Sequence, residues 1–217
     1  LSSLQAVRQL ADEFRRKYSR LNVLINNAGL FNLRRHVTAD GYEVTFATNY
    51  LSPFLLTNLL LDELKASAPS RIVNVSSVSH HGGHIDFDDL NAERGYSGFE
   101  AYSQSKLALI HFTRHLAKKL EGTGVAVYSL HPGAVATNIW SRPAGPFGFI
   151  TAVPKLFMAR PKKGAETVVY LASFPDPEGA SGEYYEKKRV KKSSRESYDS
   201  GVAERLWNTS MRLTGLE

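Results

Sequence analysis

Three short runs constrain the fold of this chain more than anything else in it: residues 22–26 (NVLIN), 71–75 (RIVNV) and 125–130 (VAVYSL). Each is rich in β-branched residues and stays apolar at consecutive positions through its centre. A strand with one wet face alternates apolar and polar; a strand buried on both faces does not. Strands of the second kind are parallel and covered by helices, and parallel pairing requires long crossovers between them. The intervals are long enough, and helical patterns fill them at residues 41–65 and 99–120. The second stops at Lys118 and Lys119, ahead of Gly122. Upstream, Leu4, Val7, Leu10, Phe14 and Tyr18 keep helical spacing, with Ser2 and Gln5 as a capping box. A helix over 163–174, a last strand near 183–185 and a closing helix over 202–213 complete the pattern. It predicts an α/β protein of three layers around a parallel sheet.

The length, 217 residues without internal repeats, suits one domain spanning 1–217. No apolar run approaches the ~18 residues needed to span a bilayer; the richest is residues 54–61 (FLLTNLLL). The absence of cysteine excludes disulfides, thiolate zinc sites and cysteine nucleophiles, and fits a cytoplasmic location. The net charge of +6 comes largely from residues 187–195 (KKRVKKSSR). That tract has no interleaved aromatics and no nucleic-acid motif, so it reads as a solvated loop, and no nucleic-acid partner is expected. The chain begins LSSLQ, with neither an initiator Met nor a signal peptide, and is expected to be a piece of a longer product.

In parallel sheets chemistry gathers at the carboxyl ends of the strands. The first strand runs into Asn26-Asn27-Ala28-Gly29, the second into Ser76-Ser77, the third into His131-Pro132-Gly133. On the helix after the second strand, Tyr102 and Lys106 stand four residues apart and share a face. A phenol titrates near pH ~10, and a neighbouring cation lowers that value toward the range of a general acid/base. His80, His81 and His84 cluster without a carboxylate to complete a metal site, and no metal is expected. His111 and His115 lack the Glu of a His-Glu-x-x-His zinc site and are expected to face solvent.

As a set, NNAG at 26–29, Asn49, Ser77, Tyr102-x-x-x-Lys106 and Pro132-Gly133 resemble the short-chain dehydrogenase/reductases in order and spacing. The stretches SSVSHHGG (76–83), IDFDDLN (85–91), HPGAVATN (131–138) and ERLWNTS (204–210) resemble the retinol dehydrogenase-like branch. The resemblance implies a doubly wound Rossmann-like sheet and an NAD(P)-dependent oxidoreductase acting on an apolar alcohol or carbonyl compound. Tyr102 would be the acid/base, and Lys106 would lower its pKa and hold the nicotinamide ribose. Ser77 would bind the substrate oxygen. Asn49, in a helix perturbed near Pro53, would anchor a water leading protons to Lys106. Asn26, Ala28 and Gly29 would pack on the adenosine ribose side of the cofactor. Pro132, Gly133, Val135 and Thr137 would frame its nicotinamide. The branch leans toward NADP(H) over NAD(H).

The family's Gly-rich phosphate loop does not occur in this sequence, which starts where two βα units, about 60 residues at ~30 per unit, would already have passed. Activity of this stretch alone is therefore in doubt, and a non-catalytic dehydrogenase-like scaffold is the alternative function. A sugar epimerase shares the Tyr-Lys pair but needs more carboxy-terminal chain than follows Gly133. Residues 134–161, with Trp140, Phe147, Phe149 and Phe157, read as a substrate lid. Contact with a membrane surface and homo-oligomerisation stay open.

Overall fold

A computed structural model of the protein describes residues 1–133, 161–174 and 180–217. The expected strands form one sheet. β1 (Val23–Asn26), β2 (Ser70–Val75), β3 (Val125–His131) and β4 (Tyr184–Glu186) lie side by side in that order, all parallel. Ile25 pairs with Val73, and Val73 with Tyr128, so the carboxyl ends of the three predicted strands finish at one edge of the sheet. A fifth strand, β5 (Arg189–Val190), returns antiparallel to β4. It lies inside the basic tract read as a loop. The turn between them is Lys187-Lys188, both at positive φ (51° and 65°), the backbone of a two-residue hairpin turn.

Helices cover both faces. One face carries α1 (Leu4–Lys17), α2 (Val44–Phe46), α3 (Ser52–Leu59), α4 (Leu61–Ala66), α5 (Gly98–Lys119) and α7 (Ser200–Thr214), around a core of Phe54, Ile72, Phe112, Val127, Leu206 and Trp207. The opposite face carries α6 (Pro161–Ser173), whose Leu171 joins Val73, Val75, Tyr128, Leu130 and Tyr185. The architecture is the expected three-layer Rossmann-like fold. Of the segment read as a lid, only Pro161, the first residue of α6, is among the described residues; Val135 and Thr137 lie outside them.

Three local expectations need correction. The cap of α1 is Ser3, one residue later than expected, whose hydroxyl accepts from Ala6 N–H at 3.4 Å. The helix expected over 41–65 is broken into pieces. A π-helical turn, Ala47–Leu51, separates α2 from α3, and Pro53 sits in the first turn of α3, where its missing N–H costs nothing. His111 does not face solvent: it is fully buried, and His115 stacks on Trp207 at 4.9 Å. Both stand on α5, which α7 covers with a further apolar face centred on Leu206 and Trp207. Burial pushes the His111 imidazole down to about 4, and neither ring nitrogen has a hydrogen-bond partner among the described residues.

Candidate active site

The end of β2 and the middle of α5 are tied to each other twice. Ser76 Oγ donates to the Lys106 carbonyl at 2.8 Å, and Lys106 Nζ donates to the Val75 carbonyl at 2.9 Å. Ser76 is therefore spent on structure, and Ser77 is the serine whose hydroxyl meets Ser79 and Tyr102. Lys106 is 3% exposed, and burial pulls its ammonium down to about 8. A long side chain is thus fixed by one carbonyl in a dry position, with its cation 5.6 Å from the centre of the Tyr102 ring.

Tyr102 is buried and shares a hydrogen bond with Ser77. Its pKa is raised, by burial first, while the Ser77 bond pulls it down. The lowering by Lys106 expected from spacing is not the effect present. The ammonium is engaged by Val75 rather than by the phenol, and desolvation of the tyrosine dominates.

Asn49 stands in the π-helical turn. A one-residue bulge of this kind re-aims a side chain that a regular helix would place elsewhere, and such turns recur at functional sites. Its Oδ1 accepts from Leu30 N–H at 2.8 Å, and its Nδ2 donates to the Leu30 carbonyl at 3.0 Å and to Ser105 Oγ at 3.0 Å. Asn49 therefore fixes the backbone just after the NNAG turn and links it to α5. Gly29 lies between them: a Cβ there would come within 3.2 Å of Lys106 Nζ and 3.4 Å of Asn49 Oδ1. The bare backbone lets this turn, a cradle without a side chain, sit directly against the ammonium. Ala28 is exposed next to it. Asn26 turns its amide inward, donating to Thr57 Oγ1 at 3.0 Å and Asn74 Oδ1 at 2.8 Å. Asn74 in turn donates to Thr113 Oγ1 at 2.9 Å, so a buried polar chain joins α3, β1, β2 and α5. Pro132 and Gly133, after β3, are half-buried at the same edge of the sheet.

Sequence reading missed an aromatic wall. Phe99, 62% exposed, lies three residues before Tyr102 and one helical turn away on the same face of α5. Its ring meets Phe31 at 5.1 Å, and Phe31 meets the Tyr102 ring edge-on at 5.8 Å. The i, i+3 spacing of Phe99 and Tyr102 was available as a signal; the approach of Phe31, from beyond the NNAG turn, was not. Gly98 permits that approach, because a Cβ there would fall 2.2 Å from the Asn32 carbonyl oxygen.

Residues 1–144 match the family model described as short chain dehydrogenase. Retinol dehydrogenase 14 of Homo sapiens is 47% identical over all of this chain, which spans 65% of that protein's length. Among solved structures, an uncharacterized protein from Mycobacterium Paratuberculosis superimposes with a TM-score of 0.77 at 33% identity, over 99% of this chain and 73% of that one. A blue fluorescent protein from a metagenomic library, in complex with NADPH, matches with a TM-score of 0.61 at 28% identity, over 84% of this chain and 70% of that one.

Proposed function

For a chain that belongs to the short chain dehydrogenase family, in its retinol dehydrogenase-like branch, we propose that the protein of which it forms part is an oxidoreductase. It transfers a hydride between a nicotinamide cofactor and an apolar alcohol or carbonyl compound. The observation that carries this reading is the convergence of Asn49, Ser77, Tyr102 and Lys106 at the carboxyl ends of the strands, beside the cradle at Gly29.

That convergence fits a nicotinamide ribose. A diol needs a cation or donor at a surface free of side chains, and Lys106 next to Gly29 offers both. Tyr102, Lys106, Gly29, Ala28, Asn26, Pro132 and Gly133 are the described residues that would hold the cofactor, Asn26 through its backbone. When bound, the cofactor supplies the hydride and accepts it in the reverse direction. The protein does the rest. Ser77 Oγ donates to the substrate carbonyl oxygen and holds it against Tyr102. As the carbonyl carbon gains the hydride, the C=O π pair moves onto oxygen, and the Tyr102 O–H bond breaks to deliver its proton there. A raised phenol pKa keeps Tyr102 protonated at neutral pH, the state that reduction needs. The Lys106 ammonium, held on the Val75 carbonyl, would bind the nicotinamide ribose, and Asn49 keeps the NNAG backbone in place for proton resupply.

The wall of Phe31 and Phe99 supports an apolar substrate, as does the retinol in the name of the human relative. NADP(H) is the cofactor we favour, in line with the NADPH of the metagenomic structure. Single-turnover reduction of an apolar aldehyde by the full-length protein, with NADPH deuterated at its transferable position, tests the proposal. Deuterium should appear at the carbinol carbon. Tight NADPH binding with no transfer to any apolar aldehyde or ketone would overturn it.

A further inference from the structure

Two histidines that the reaction does not use hold a single peptide group, the one joining Ser77 to Val78. At one end, the Ser77 carbonyl oxygen lies 2.6 Å from His80 Nδ1. At the other, the Val78 N–H donates to His131 Nδ1 at 3.3 Å. A carbonyl oxygen can only accept, so His80 must carry its proton on Nδ1. Its Nε2 is then an acceptor, and it receives the Ser194 N–H at 3.1 Å. His131 must have the opposite tautomer, with a bare Nδ1 and its proton on Nε2. Only neutral rings satisfy these contacts.

The surroundings keep them neutral. His80 is fully buried, packed against His81 at 4.0 Å and Tyr184 at 4.9 Å. Burial pushes it down to about 4, with the Ser77 carbonyl pulling up and His81 and His131 pushing further down. The His131 pKa is also lowered by burial, with Glu186 acting upward and His81 and Lys187 downward. The loop is anchored further on the segment around Ser194: Glu196 accepts from Ile85 N–H at 3.0 Å and meets His84 Nδ1 at 3.0 Å.

We propose that His80 and His131 are positioning residues: they clamp the 77–78 peptide from both ends, and this aims the Ser77 hydroxyl at Tyr102. The proposal rests on Ser77 and Tyr102 being the reacting pair. A side chain's direction follows its backbone, and Ser77 is held at φ −151° and ψ 157° with its carbonyl accepting both the His80 ring proton and the His80 N–H at 3.2 Å. Rotation of that one peptide would swing Val78 and loosen a constraint on where Ser77 Oγ points, beside its contacts with Ser79 and Tyr102. His80 also carries the clamp to the 193–197 segment, so the carboxy-terminal part of the chain helps set the site.

Histidine-selective 15N NMR of the chain reads the clamp directly, without turnover. The expected result is an Nδ1-protonated His80 and an Nε2-protonated His131, with His80 not titrating above pH ~5; the reverse tautomers, or a His80 that titrates near pH ~6.5, would overturn it. In the full-length protein, His80→Asn retains a donor near the Nδ1 position, whereas His80→Gln replaces only the Nε2 acceptor. The Gln variant should lose kcat by roughly 10²-fold, the scale of an ångström of misplacement, with NADPH affinity kept and the Asn variant rescuing most of it. Its pH–rate profile should shift to higher pH at the alkaline limb, because the Ser77 bond no longer lowers Tyr102. A folded Gln variant with normal kcat and an unshifted profile would refute the clamp. An inactive wild type would instead count against the proposed reaction, leaving the tautomers to decide the clamp alone.

Discussion

Replacing Lys106 with Met should make the protein more stable near neutral pH and less stable at high pH. Burial lowers the Lys106 pKa from its ordinary 10.5 to about 8. At about 1.4 kcal/mol per pH unit, the folded state is disfavoured by about 3 kcal/mol wherever the group is charged in both states. The sign follows from proton binding. Between pH 8 and 10.5 the unfolded chain binds more protons at this site than the folded one, so the penalty is complete below pH 8 and disappears as pH rises through that window. Met fills a similar volume but abandons the Val75 carbonyl, which loses a 2.9 Å bond worth about 1–3 kcal/mol when the acceptor is buried. The variant should therefore gain up to about 2 kcal/mol at pH 7 and lose about 1–3 kcal/mol at pH 10.5, a swing of about 3 kcal/mol. Urea unfolding of both proteins across that range measures it, and tyrosine titration cancels in the difference. A stability difference that stays flat with pH would show that the ammonium is not desolvated as its burial implies.

Other consequences follow from single contacts. Gly29→Ala should leave the fold intact but weaken NADPH binding severalfold in a fluorescence titration, since its methyl would press on Lys106 Nζ and Asn49 Oδ1; unchanged affinity would show that the cradle has room to spare. Trp207→Ala should cost about 3–5 kcal/mol in urea unfolding, because its ring packs on Phe54 at 5.0 Å, Phe112 at 6.0 Å and His115; a loss under ~1 kcal/mol would mean α7 is dispensable to the core. Asn74→Ala should cost about 1–3 kcal/mol by leaving Asn26 and Thr113 each one partner short, and hydrogen exchange should quicken in β1 and β2 together rather than in β2 alone.

The sheet was legible because burial on both faces leaves an unbroken apolar mark, and β1, β2 and β3 each start or stop within a residue of where that mark ends. The residues proposed for the site were legible through spacing: Tyr102 and Lys106 share a helical face, and Ser77 and Gly29 sit at strand ends. What escaped depended on contacts between distant residues. The groups that face His111 include Glu196 and Asp199, which arrive more than eighty positions later in the chain. The partner of Lys106 is a backbone carbonyl, which has no sequence signature, so the spacing argument gave the cation to the phenol. The hairpin of β4 and β5 uses Lys187-Lys188 where glycine or asparagine would have announced a turn. The π-helical turn at Asn49 adds a residue to a helix whose apolar pattern runs on regardless.

The central claim is that Tyr102 delivers the proton while the rest of the site binds and orients. Steady-state reduction of an apolar aldehyde by full-length wild type and Tyr102→Phe, with NADPH affinity measured on both, tests it most directly. Phe keeps the ring contact with Phe31 and removes only the hydroxyl. The account predicts NADPH affinity within about twofold and a kcat lower by roughly 10²–10⁴-fold. A Tyr102→Phe variant that turns over at the wild-type rate would contradict it.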